Sequence, residues 1–145
     1  MILALDIATQ TGWADSNGKG GGMNNTFVLP FPPSVNSLFA GKERRHLSKA
    51  YKAWIKEASH ALRQQRPLPH YTDKVCVEYV AGWPCRKDGS PSNRVRDISN
   101  FIKAPEDLLV KFGVLEDDSL VEDMRIRWDR TGTVTGIQVN IEVMP

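Results

Sequence analysis

The sequence predicts an α+β fold, a mixed β-sheet of about four strands with two main helices packed on one face. Three observations carry this. Near the C-terminus, Met124, Ile126 and Trp128 alternate with Arg125 and Arg127, and Ile137, Val139, Ile141 and Val143 alternate with Gln138, Asn140 and Glu142. That is the period of half-buried strands. Elsewhere Tyr51, Trp54, Ile55, Ala58, Ala61 and Leu62, and again Ile98, Phe101, Ile102, Leu108, Leu109 and Phe112, recur at helical spacing. Finally, 145 residues suffice for one domain with a core and are too few for two of ordinary size.

Taken in order, Met1–Ala14 is a short apolar run with Asp6, followed by the Gly-rich linker Asp15–Gly22. Asn24–Leu29 reads as a strand, stopped by the prolines of Pro30–Asn36, where Phe31 and Val35 are candidate core anchors. Ser37–Arg45 reads as a loop carrying Lys42, Arg44 and Arg45. Ser48 is a candidate N-cap for a helix to about Gln65, which Pro67 and Pro69 end. A strand follows at Val75–Val80, with Val75, Val77 and Tyr79 on one face, then a basic loop over Ala81–Arg96 holding Trp83. Trp83 is either a DNA-stacking residue or a lid on the core. A helix is expected over about 99–112, with Gly113 as its left-handed cap, and strands over 121–129 and 134–143.

Charge is divided unevenly. Residues 1–96 carry 14 Lys/Arg against 7 Asp/Glu, and residues 97–145 carry 5 against 10, although the net charge is only +2. Such a division suits a polyanion held near a cation site. Cys76 and Cys85 form no metal-binding spacing, and Cys76 is expected as a reduced core residue. No apolar run approaches the roughly eighteen residues of a membrane span, so a cytoplasmic protein is expected.

The chemistry concentrates between Asp97 and Asp118. Asp97 stands before the expected helix, where an N-cap role would also explain it. Glu116, Asp117 and Asp118 follow the helix C-terminus, the unfavourable end of the dipole, so either a metal or nearby basic side chains are expected to offset them. If the chain folds back after Gly113, the two groups of acids meet, and their hard oxygens suit Mg²⁺ or Mn²⁺. Lys103, four residues after Ser99, can stabilise developing charge or pair with Asp107. Arg94 and Arg96 lie just before Asp97, and Lys42, Arg44 and Arg45 form a second phosphate-binding patch. Pro105 inside a helix would cost about 3 kcal/mol, less if the helix really begins near Ala104.

Three ordered blocks, Leu29-Pro-Phe-Pro-Pro-Ser-Val-Asn36, Arg94-Val-Arg-Asp97-Ile-Ser-Asn100-Phe-Ile-Lys103 and Gly113-Val-Leu-Glu-Asp-Asp118-Ser-Leu-Val121, resemble the RusA family of Holliday junction resolvases, from about Met23 to the C-terminus. The resemblance implies a homodimer that binds four-way DNA junctions and uses Mg²⁺ to make paired cuts, encoded by a prokaryote or its phage. It implies catalytic roles for Asp97, Lys103 and Asp118, and metal contacts from Asp97, Asp118, Asp117 and Ser99. Where the family has Asp-x-Asp-Asn, this chain has Asp97-Ile98-Ser99-Asn100, so the second carboxylate is a hydroxyl. Ser99 is then a weaker ligand, or Asp107 or Glu116 substitutes, or activity is reduced. A branched-DNA-binding module with weak or no catalysis is the alternative reading. Met1–Ala14 resembles only the first strand of RuvC-type RNase H-fold nucleases. That fold's later carboxylates have no room, so residues 1–22 are read as an extension and 23–145 as the nuclease domain.

Overall fold

A computed structural model describes residues 25–93 and 96–145. The expectations for residues 1–22, Asp6 included, and for Arg94 lie outside the described residues. The described chain runs β1 (Thr26–Leu29), β2 (Phe39–Ala40), β3 (His46–Leu47), α1 (Lys49–Arg63), β4 (Val75–Gly82), α2 (Lys103–Lys111), β5 (Val121–Asp129) and β6 (Ile137–Val143). Three 3₁₀ turns, Val35–Ser37, Ile98–Phe101 and Asp118–Leu120, punctuate it.

Four strands form one sheet in the order β1-β6-β4-β5. β5 runs parallel to β4, and the other pairings are antiparallel. A parallel neighbour needs a crossover rather than a hairpin, and this crossover carries the Ile98–Phe101 turn, α2 and the Asp118–Leu120 turn. The sheet therefore positions the whole stretch in which the acids cluster.

One face of the sheet makes the core. Phe27, Leu29, Val75, Val77, Tyr79, Ile137, Val139 and Ile141 pack there against Tyr51, Trp54, Ala58 and Leu62 of α1 and Leu108 and Leu109 of α2. The mixed sheet with two helices is as expected. Ser48 caps α1, its hydroxyl accepting from Tyr51 N–H at 3.1 Å. The Gln65 amide exchanges hydrogen bonds with Val28 N–H (2.9 Å) and C=O (2.8 Å), which occupies polar groups that edge strand β1 would otherwise expose.

Several local expectations are corrected. The segment read as a loop at Ser37–Arg45 contributes to a short hairpin, β2 with β3. Gly41 turns it at φ +93, where a Cβ would meet Arg44 O at 2.3 Å. Phe31 does anchor the proline-rich segment, with its ring 5.0 Å from Phe101, but Val35 is 41% exposed because it belongs to a surface 3₁₀ turn. Cys76 is half-exposed, not core: it alternates with Val75 and Val77 and so faces away from the helices. β4 continues to Gly82, since Ala81 and Gly82 still pair with Trp128 and Asp129. β6 begins at Ile137 because Asp129 first gathers Thr131 and Val134 N–H groups into a turn.

Candidate active site

The helix expected over 99–112 is two elements, the 3₁₀ turn Ile98–Phe101 and α2 from Lys103. Pro105 is the reason. An α-helix running back to Ser99 would need a Pro105 N–H for the Phe101 carbonyl and would drive the proline ring into it. As the third residue of α2, Pro105 lacks only a donor with no intrahelical partner. Lys103 consequently opens α2, one element away from Ser99 rather than one turn along the same helix face. The far end of α2 is as expected. Gly113 sits at φ +76, its N–H donates to Val110 O (3.0 Å), and Val114 N–H donates to Leu109 O (2.9 Å). This Schellman closure turns the chain back toward the acids.

The turn bearing Asp97 is held by aromatic packing. Phe101 touches Phe31 and stands 6.1 Å from Trp128, and Trp128 lies 6.2 Å from Phe31 and 5.0 Å from Trp83. The proline-rich block thus buttresses the acidic turn. Trp83 is a lid of this cluster. Its Nε1–H donates to Ser92 O (3.0 Å), and the Arg130 guanidinium covers its ring at 3.9 Å.

Asp97 caps the turn and accepts, on Oδ1, the Ser99 N–H at 3.1 Å and the Ser99 hydroxyl at 2.7 Å. Asp117 repeats the arrangement with Ser119, whose hydrogen bonds hold its carboxyl below the usual range. Glu116 turns the other way, to His70 Nε2 at 3.9 Å. Lys103 Nζ pairs with Asp107 Oδ1 at 3.0 Å. That hydrogen bond leads the causes, with the Asp107, Glu106 and Asp118 charges, that hold its ammonium above the ordinary range. Lys103, Glu106, Asp107 and Asp118 therefore share one electrostatic neighbourhood.

Glu106 is the residue that sequence reasoning missed. Burial first, then the charge of Asp118, push its carboxyl up, against the opposing pull of Lys103. Its signal was present: an acid in the first turn of α2, three residues after Lys103.

Asp97, Asp117 and Asp118 do not close into a cage. Among the described residues no three His, Cys, Asp or Glu side chains stand at metal-holding spacing. The donors are nonetheless carboxylates and hydroxyls, and Mg²⁺ characteristically takes one or two carboxylates and completes its shell with water and substrate phosphate. An open site of this chemistry fits it.

Of the expected DNA contacts, Lys42, Arg44 and Arg45 are exposed on the β2–β3 hairpin, and Arg45 lies 5.3 Å over the Phe39 ring. Arg96 is half-buried beside Asp97, and its Nε has no hydrogen-bond partner among the described residues.

Residues 30–142 match the family profile described as Endodeoxyribonuclease RusA. The chain belongs to the RusA family. It is also 27% identical over 101 residues, 69% of this chain and 78% of the relative, to the crossover junction endodeoxyribonuclease rusA of Enterobacteria phage HK97. RusA membership makes the chain an endodeoxyribonuclease, and the match spans the Asp97–Asp118 stretch in full. No helix among the described residues is long and apolar enough to cross a membrane.

Proposed function

We propose that the chain cuts four-way DNA junctions as a metal-dependent, structure-selective endonuclease, a homodimer making paired cuts in recombination and repair, in the cytoplasm. What supports this reading is the RusA match over residues 30–142, which takes in Asp97, Lys103 and Asp118. The name of the phage relative, a crossover junction enzyme, supports the substrate.

In this reading Asp97 and Asp118 are the residues that hold Mg²⁺, Mn²⁺ serving in its place, and Asp117 and Ser99 support them. The ion supplies a lowered pKa for a bound water and neutralises the scissile phosphate. Ser99 fixes the Asp97 carboxylate by donating to Oδ1, which leaves Oδ2 to face a ligand. Lys103, kept protonated by its acidic neighbours, stabilises the negative charge that develops on the phosphate oxygens. Arg96 and Arg94 grip the phosphate nearest the site, while Lys42, Arg44 and Arg45 hold an arm. Two-fold symmetry of the junction calls for two such sites, hence the dimer.

The serine at position 99 favours a second reading, a junction-binding module that cuts weakly or not at all. One assay separates the two. A synthetic four-way junction is incubated with the full chain, with and without Mg²⁺, beside Asp97→Asn, Asp118→Asn and Asp6→Asn. Mg²⁺-dependent paired cuts, lost in the first two variants and kept in the third, are expected. Tight binding with no cuts would leave the binding module standing.

A further inference from the structure

The sheet has two edges, β1 and β5, and the chain treats them differently. On β1 the Gln65 side chain takes up the Val28 N–H at 2.9 Å and the Val28 carbonyl at 2.8 Å. Nothing comparable covers β5. From Glu122 to Trp128 its backbone bonds to no element but β4 among the described residues. The outward row of N–H and C=O groups is therefore a template for another strand.

Charged side chains commonly protect such an edge by repelling a second copy. β5 is charged, but its signs are ordered: Glu122 and Asp123 precede Met124, and Arg125 and Arg127 follow it. If two copies pair antiparallel about Met124, Asp123 falls opposite the partner's Arg125, and Arg125 opposite the partner's Asp123. Opposite charges across a strand pair attract, whereas like charges repel. Moving the centre one residue either way would set Asp123 or Arg125 against itself. Within one copy Asp123 and Arg125 already stand 3.3 Å apart with their side chains open to solvent, so two copies join them into one alternating set. Met124 is in register with buried Val77, yet it is 40% exposed. It is an apolar side chain placed to meet its own copy.

We propose that β5 is the surface through which two copies of this chain join, antiparallel about Met124, making the two four-stranded sheets one. The inference rests on the homodimer reading above and names its interface. It also bears on the candidate site. β5 begins directly after the Asp118–Leu120 turn, so the two turns lie on opposite sides of the dyad. The two Val121 residues then stand about 20 Å apart. In this register Val121 faces the partner's Arg127, and each acidic turn has the basic end of the other copy's β5 alongside. Arg130 follows that end. Its guanidinium rests 3.9 Å over the Trp83 ring and has no acidic partner among the described residues. Each copy thereby brings a free arginine toward the other's site.

Sedimentation of the full chain over a range of micromolar concentrations tests this, with circular dichroism to confirm folding. A nine-residue edge is smaller than the surface a tight dimer buries, so the wild type is expected as a dimer that dissociates on dilution. Asp123→Arg and Arg125→Asp each set like charges across the dyad and are expected to weaken dimerisation about tenfold. The double variant Asp123→Arg/Arg125→Asp restores opposite charges and is expected to regain wild-type dimerisation. In a Cys76→Ser/Cys85→Ser background, Met124→Cys is expected to cross-link two chains on oxidation, and Val28→Cys on the β1 edge is not. A wild-type dimer indifferent to both single reversals, or cross-linked through residue 28 and not 124, would overturn the interface and leave the homodimer reading standing. A wild type that stays monomeric, both free and on a synthetic four-way junction, would overturn both.

Discussion

The Ser99 hydroxyl donates to Asp97 Oδ1 at 2.7 Å, and the Ser99 N–H reaches the same oxygen at 3.1 Å. A serine at this position is thus a clamp on the neighbouring aspartate, and Ser119 clamps Asp117 in the same way. Ser99→Ala releases Asp97, and cutting of a four-way junction should fall about tenfold. Stability should drop by about 1 kcal/mol. Ser99→Asp places a second negative charge beside Asp97. Its metal-free melting temperature should fall and recover on adding Mg²⁺ by more than the wild type gains. Differential scanning with and without the ion measures both.

Lys103 separates structure from chemistry. Its pair with Asp107 is half-exposed at both ends, and such pairs contribute less than about 1 kcal/mol. Lys103→Gln should therefore melt close to wild type in urea. Junction cleavage should nonetheless fall on the order of 100-fold or more if Lys103 has the proposed role of stabilising charge on the phosphate.

Acid sensitivity should trace to Asp129, a carboxylate only 5% exposed. Burial pushes its carboxyl up, but hydrogen bonds from Thr131, Val134 and Thr133 outweigh that and leave it below the ordinary 3.8. A depressed folded value means the stabilisation is complete above 3.8 and is lost as the pH falls from there through the folded value. Asp129→Asn turns an amide toward one of the donors, and should cost about 2 kcal/mol at neutral pH. The acid limb of its pH–stability curve should also be shallower than that of the wild type.

The β2–β3 hairpin should report on phosphate contact. Lys42, Arg44 and Arg45 are exposed, and none of them carries a salt bridge to a described residue. Replacing all three by Gln should lower the slope of log affinity against log salt by about 3 for a four-way junction. Melting should hardly change. A slope equal to wild type would remove the hairpin from the DNA interface.

Local chemistry made some elements legible from sequence. The Ser48 cap, the Gly113 closure and the alternation of β6 are each written in residues adjacent along the chain, so spacing alone revealed them. The Asp97–Lys103 and Gly113–Val121 blocks marked the candidate site for the same reason. Pro105 was visible too, but whether it sat inside a helix or near its start depends on how Ile98 and Phe101 pack.

What sequence by itself determined is the set of groups available: an α+β pattern, a cluster of acids, one lysine among them, and a serine in place of an aspartate. Tertiary structure alone decided which of those groups are spent on one another. The parallel β4–β5 pairing forces a crossover that folds Asp118 back to the start of α2, against Lys103 and Glu106. Charge and burial act through space, and Asp118 acts on Lys103 and Glu106 only once the sheet has formed.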